Sequence, residues 1–172
     1  LGLPTYDGGI FEAKVTSCYK KDNTLLYKLE FDAALTKEYG LPYAWVKTDG
    51  ENYELTWHGK KASRLPQAFW FKFKGYDEDW KISKMGQWID PEKIIGSPLI
   101  MACDKGVKNN RVQINTLDAA LVAPFGRRLV DFEKFPHGQD LYFNLYNNIW
   151  NTNFPMWYSD DTRSRFTKRS FA

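Results

Sequence analysis

Two cysteines, Cys18 and Cys103, are all that the 172-residue chain contains, so at most one disulfide could form and a disulfide-built scaffold is excluded. The pair could close a bridge, but neither thiol has a metal-like neighbour, and two free buried thiols are the plainer expectation. Histidine is as scarce. His58 and His137 are the only imidazoles, and they are not spaced as a metal-binding pair one helical turn apart. No apolar run approaches the roughly 20 residues of a membrane span. The start, Leu1-Gly-Leu-Pro4, has neither the charge nor the apolar core of a signal peptide. An excess of one charge is missing too: 24 Lys+Arg against 21 Asp+Glu leave +3, well mixed along the chain. Only Arg163 to Arg169 gathers basic side chains without intervening acids, so neither a nucleic-acid nor a membrane partner is expected. A Gly-x-Ser-x-Gly nucleophile elbow and a phosphate-cradling glycine loop are also lacking; Asp7-Gly-Gly9 is merely a turn. The compartment stays open.

Aromatic residues are abundant. They make up 17% of the sequence, and they recur mostly at the two-residue period that sends one set of side chains to a core and the other to the opposite face. Ile10 to Tyr19 alternates as a half-buried antiparallel strand, Lys20 to Thr24 reads as a turn, and Leu25 to Phe31 completes a hairpin. Asp32 to Gly40 is the one plausible short helix, ended by Gly40. Pro42 to Thr48 and Glu51 to Trp57 flank Asp49-Gly50, a dipeptide suited to a tight hairpin turn. In Ala68 to Lys74, Phe69, Phe71 and Phe73 take the core side and Trp70 the other, making Trp70 a candidate exposed aromatic or a ring packed under lysine stems. Short strands follow at Trp80 to Ser83, Leu99 to Asp104, Arg111 to Leu117 and Ala119 to Val122. The Arg163 to Phe171 tail alternates well enough to close a sheet edge. The expectation is a single all-β domain over residues 1–172, an antiparallel sandwich of about ten to twelve strands with at most one or two short helices.

One stretch combines amides and indoles. Leu141, Phe143 and Leu145 alternate as a strand; then Asn147, Asn148, Asn151 and Asn153 interrupt the apolar pattern while Trp150, Phe154 and Trp157 keep supplying apolar surface. Directional amides beside flat rings suit a sugar, which offers hydroxyls and a C–H face. The same residues may be written as Asn147-Asn-Ile-Trp-Asn-Thr-Asn-Phe-Pro-Met-Trp-Tyr158, followed by Asp160-Asp-Thr-Arg-Ser-Arg-Phe166. This pattern resembles the C-terminal signature of the alpha-mannosidase-like group related to the family 38 glycoside hydrolases, known as domain of unknown function 5054. Leu65-Pro-Gln-Ala-Phe-Trp70, Met85-Gly-Gln-Trp-Ile-Asp-Pro91 and Leu117-Asp-Ala-Ala-Leu-Val122 stand in the order that group leads one to expect, so the resemblance covers roughly residues 65–166. It departs at Asn151, where Gly is expected.

The resemblance implies a sandwich of the galactose-mutarotase-like, or supersandwich, type. It also implies a catalytic barrel N-terminal to these residues in a longer parent chain, with zinc held by Asp and His of that barrel and no cofactor here. The absence of an initiator methionine before Leu1 fits the expectation of a C-terminal piece. On this reading the partners are carbohydrate and the barrel, no catalytic or metal residue is expected, and the candidate ligand-binding residues are Asn147, Asn148, Trp150, Asn153, Trp157 and Asp160. The amides may equally be read as satisfying backbone groups where a strand turns a corner, with Trp150 and Trp157 as plugs. Glycoside hydrolysis needs a carboxyl pair, about 5 to 9.5 Å apart depending on stereochemistry. The acids at Asp77 to Asp79, Asp160 and Asp161 are more simply solvated, and those at Asp90 and Asp118 are more simply turn or capping groups. Arg163 and Arg165 share one strand face and could pair with Asp160 or Asp161. Two alternatives remain: a stand-alone carbohydrate-binding module using exposed rings such as Trp70 and Trp88, or a purely structural domain.

Overall fold

The computed structural model describes residues 9–41, 43–74, 79–93, 101–124, 140–148 and 158–171. Within them the alternating segments become strands β1 (Lys14–Lys21), β2 (Thr24–Glu30), β3 (Ala44–Thr48), β4 (Asn52–Lys60), β5 (Ala68–Phe73), β6 (Lys81–Lys84) and β7 (Gln87–Ile89). The remainder are β8 (Met101–Ala102), β9 (Gly106–Lys108), β10 (Val112–Thr116), β11 (Leu121–Pro124), β12 (Leu141–Asn147) and β13 (Asp160–Ser170). One α-helix, α1 (Ala33–Tyr39), and a 3₁₀ turn at Pro91–Lys93 complete the described elements. All pairings are antiparallel. They build a nine-stranded sheet in the order β1-β2-β3-β4-β13-β10-β9-β6-β7 and a four-stranded sheet in the order β5-β12-β11-β8. The architecture is the expected sandwich-like all-β fold with little helix, and β7 to β9, of two or three residues each, raise the strand number above ten to twelve.

Local chemistry accounts for the turns. Asp32 caps α1 by accepting the Ala34 amide at 2.9 Å, and Gly40 ends the helix at φ 63°, a left-handed conformation that is costly for other residues. Between β3 and β4, Asp49 accepts the amides of Glu51 and Asn52, and Gly50 takes φ 97°. The Asn52 carboxamide and these amides hold the Asp49 carboxyl at about 2. This hairpin lies where the Asp49-Gly50 pair places it.

The sheets meet through rings. Phe73, Val122, Leu141 and Phe143 from the small sheet pack against Ile82, Val107, Val112, Ile114 and Phe166 from the large one. Phe166 lies 5.3, 5.6 and 4.9 Å, centroid to centroid, from Phe71, Phe73 and Phe143. A second cluster joins Val46, Leu55 and Trp57 to Tyr146, with Trp57 edge-on to Phe69 at 5.5 Å. Phe69, Phe71 and Phe73 thus face inward as their spacing requires. The two thiols are free. Cys18 is exposed rather than buried as expected, because it lies on the edge strand β1, while burial pushes the Cys103 thiol up to about 11.

Two expectations about the strands also need correction. β1 is not half-buried: seven of its eight residues are exposed, because it forms the outer edge of the large sheet and shifts register between Val15 and Ser17. The tail does not close an edge. β13 is in the middle of the large sheet, paired with β4 over Asp160–Thr167 and with β10 over Phe166–Ser170. Its basic residues are accommodated because Arg163 and Arg165 point away from the core.

Phe166 is therefore the ring on which both sheets converge. Phe166→Ala should lower the unfolding free energy by about 3–5 kcal/mol, measured as a reduced urea midpoint with the cooperativity of the wild-type transition.

Candidate functional site

The corner where β12 ends is built by one asparagine. Asn148 is 3% exposed, and its backbone amide donates to Gln67 O at 3.0 Å. Its side-chain oxygen accepts the Gln67 amide, and its Nδ2 donates to Ser63 O and Leu65 O at 3.0 and 3.1 Å. Asn148 thereby ties the 63–67 connection to the small sheet, which is the backbone-satisfying role weighed for these amides. Asn144 is similar: 7% exposed, it reaches Phe69 O and Tyr146 O across the irregularity in the β12–β5 register.

Beside this corner a lysine is buried. Lys60 is 1% exposed; its Nζ donates to Lys61 O at 2.9 Å and sits 4.1 Å from the Tyr146 ring centroid. Asp160 is its register partner across β4 and β13, and Asp160 itself accepts the Thr162 hydroxyl at 2.9 Å. Burial lowers the Lys60 pKa and the Asp160 charge opposes that shift. Tyr146 stacks at 4.8 Å on Tyr158, which is 45% exposed, and burial raises the pKa of both phenols.

Next to Tyr146 and Tyr158 opens a cleft of about 480 Å³. It lies where β10 leaves β13 at Phe166: the chain turns at Asp118 to Ala120 toward β11, so that among the described residues Asp161 to Ser164 of β13 have no strand partner on that side. Thr116 fixes the turn, its hydroxyl accepting the Ala119 amide at 3.0 Å and donating to Ala119 O at 2.9 Å. Asn147, Tyr158, Asp161 and Arg163 supply polar lining.

Two carboxylates reach this cleft, and both are held ionised. Asp118 accepts the Arg165 guanidinium through two bonds of 2.9 Å and also the Arg165 amide, and the guanidinium keeps its pKa low. Asp161 accepts the Gly59 amide at 2.6 Å and faces His58 Nδ1 at 3.6 Å, and the amide bond keeps its pKa low as well. Arg163 pairs with Glu54. The arginines do share a face, but their partners are Asp118 and Glu54 rather than Asp160 or Asp161, because Glu54 and Asp118 lie nearest across the neighbouring strand and loop.

Of the expected ligand residues, Asn147 lines the cleft, Asn148 is buried behind it, and Asp160 turns toward Lys60. Trp150, Asn153 and Trp157 lie outside the described residues. Lys60, Tyr146 and Tyr158 were not singled out by sequence. The alternation of β4 and β12 marks an inward side, but not which side chains meet there. Asp90 is engaged by Lys81 at 2.9 Å. Trp70 is partly buried edge-on to Tyr142, and Trp88 is 36% exposed with the Lys108 ammonium 4.5 Å above its ring.

Among the described residues no group of three or more His, Cys, Asp or Glu side chains is placed to hold a metal. No helix among them is long and apolar enough to cross a membrane.

Asn148→Ala should cost about 2–3 kcal/mol by leaving the Gln67 amide buried without its acceptor, read from urea unfolding. Lys60 has the opposite signature. Its folded-state pKa is below the ordinary 10.5, so the burial penalty is present at neutral pH and fades as pH rises toward that value. Lys60→Met should therefore be at least as stable as wild type at pH 7, with the difference between the two urea midpoints shrinking toward pH 10. Comparison of the chain with protein-family models, with curated proteins and with solved structures gives no match.

Proposed function

We propose that the chain is a non-catalytic β-sandwich domain of a family 38-like glycoside hydrolase, supporting the catalytic barrel and contributing sugar contacts from the corner beside Asn147 and Tyr158. The observation that carries this reading is the cleft with its two ionised carboxylates. A glycosidase general acid needs a carboxyl whose pKa is raised so that it keeps its proton. Asp118 and Asp161 are shifted the other way, each by a hydrogen bond to its charged form. Such groups accept hydrogen bonds from hydroxyls well and donate protons poorly.

Asn147, Asn148 and Tyr158, the described residues that flank positions 149–157 in the sequence, stand at this corner. An opening of about 480 Å³ falls within the range of small-molecule sites, and its lining mixes phenol, amide, guanidinium and carboxylate, the groups that hold a polyol. Catalysis, and the zinc that the resemblance implies, are assigned to the barrel.

Calorimetric titration of the chain with mannose, mannobiose and mannotriose tests the sugar contact. Saturable binding weakened about ten-fold, or roughly 1.4 kcal/mol, by Asn147→Ala or Tyr158→Ala is expected, and binding indifferent to both would refute it. Robust hydrolysis of aryl mannosides by the chain with added zinc, abolished by Asp161→Asn, would overturn the non-catalytic reading.

A further inference from the structure

A bulge sets one carboxylate of the cleft apart from the other. Between the register pairs Asp160–Lys60 and Thr162–Trp57, β13 has one residue, Asp161, where β4 has two, His58 and Gly59. Gly59 takes φ 67° there, a left-handed conformation suited to glycine. The extra residue brings two donors to one side chain: Asp161 Oδ1 accepts the Gly59 amide at 2.6 Å, and Asp161 Oδ2 faces His58 Nδ1 at 3.6 Å. Asp161 also lines the cleft. An acceptor at the opening is therefore shared with an imidazole.

We infer that His58 makes ligand binding at this cleft depend on pH: as a cation it holds Asp161 Oδ2, and as a neutral ring it leaves that oxygen to a ligand hydroxyl. The inference rests on the carbohydrate reading above and adds to it a residue and a mode of regulation. Imidazolium carries a proton on both ring nitrogens, so its Nδ1 can only donate, and both oxygens of Asp161 are then engaged. Neutral imidazole carries one proton. With that proton on Nε2, Nδ1 offers nothing to the carboxylate, and Oδ2 accepts a hydroxyl instead. Proton and ligand compete, and each weakens the other by the same factor.

The surroundings leave this pair to itself. On the β13 side Asp160 turns toward Lys60, and Arg163 is taken by Glu54, whose register partner on β3 is Lys47. On the β3 side the flanking residues are Tyr43 and Trp45, and Lys28 of β2 lies 4.8 Å from the Tyr43 ring and bonds Glu30. Along β4 itself Lys60 packs against Tyr146, and Lys61 follows. Of these groups Asp161 is the one at ion-pair distance from the ring. In the cleft, Asp118 and Asp161 are held low and Tyr146 and Tyr158 are raised, so these four keep their charge across the range of about pH 5 to 8 in which imidazole ordinarily titrates. His58 is the one imidazole among the described residues. Its side chain and that of Asp161 are 68% and 66% exposed, and an exposed pair is worth a modest factor, about two- to five-fold in affinity.

The test is calorimetric titration with mannotriose at about pH 8 and about pH 5, at one ionic strength, in the wild-type chain and in His58→Gln, with the Gly59 amide followed by NMR over the same range. In the wild type the affinity should be lower by that factor at the acid end. His58→Gln should bind equally at both ends, close to the wild-type value at the alkaline end. The Gly59 amide, bonded to the shared carboxylate, should shift together with the His58 ring resonances in the wild type and stay in place in the variant. An amide that ignores the ring titration overturns the inference and leaves the corner reading standing. So does a pH dependence that persists in His58→Gln, or wild-type binding of equal strength at both ends. No saturable binding at either end refutes the corner reading, and the regulation with it.

Discussion

The pairing of β13 with β4 on one side and β10 on the other holds the two halves of the large sheet together. β1 to β4 form one antiparallel run and β10, β9, β6 and β7 another, and among the described residues no other strand connects them. At Phe166 and Thr167 the strand is paired on both sides, and the Phe166 side chain enters the ring cluster contributed by β5 and β12. Sheet continuity and sheet stacking therefore depend on the same few residues. The cleft follows from this arrangement: β10 pairs with only the second half of β13, and among the described residues the first half has no strand partner on that side.

Polar groups near that opening are managed in two ways. Asn148 and Asn144 are drawn inside and spent on backbone partners, which makes the corner rigid. Asp118, Asp161 and Arg163 remain at the opening, each in a fixed pairing that sets its charge and orientation. A rigid wall behind oriented charged groups is a reasonable platform for a weakly bound polar ligand.

Local chemistry was legible in the sequence, and non-local chemistry was not. The caps of α1, the turn at Asp49-Gly50 and the inward set Phe69, Phe71 and Phe73 follow from residues a few positions apart, and all take the form that spacing dictates. The place of β13 could not be read that way. Alternation identifies a strand but carries no information about which strands flank it, and charged residues on its outer face are as compatible with a central position as with an edge. β1 shows the converse, since its alternation suggests one buried side yet seven of its eight residues are exposed. Lys60 was hidden for a related reason: a lysine at a strand end reads as solvated unless Tyr146, 86 positions later in the sequence, is known to lie beneath it. The contact of Tyr19 with Trp45 likewise joins two segments that are 26 positions apart.

The order in which a ribosome delivers these segments gives the central position of β13 a further meaning. The β1–β4 run can pair as soon as it emerges, and the β6–β10 group can follow, but their meeting edges stay open until residues 160–170 have been translated. During that interval β4 presents an unpaired ladder next to Trp57 and Leu55, which is the kind of edge that captures other chains. The strand that joins the large sheet is thus translated after the strands it joins.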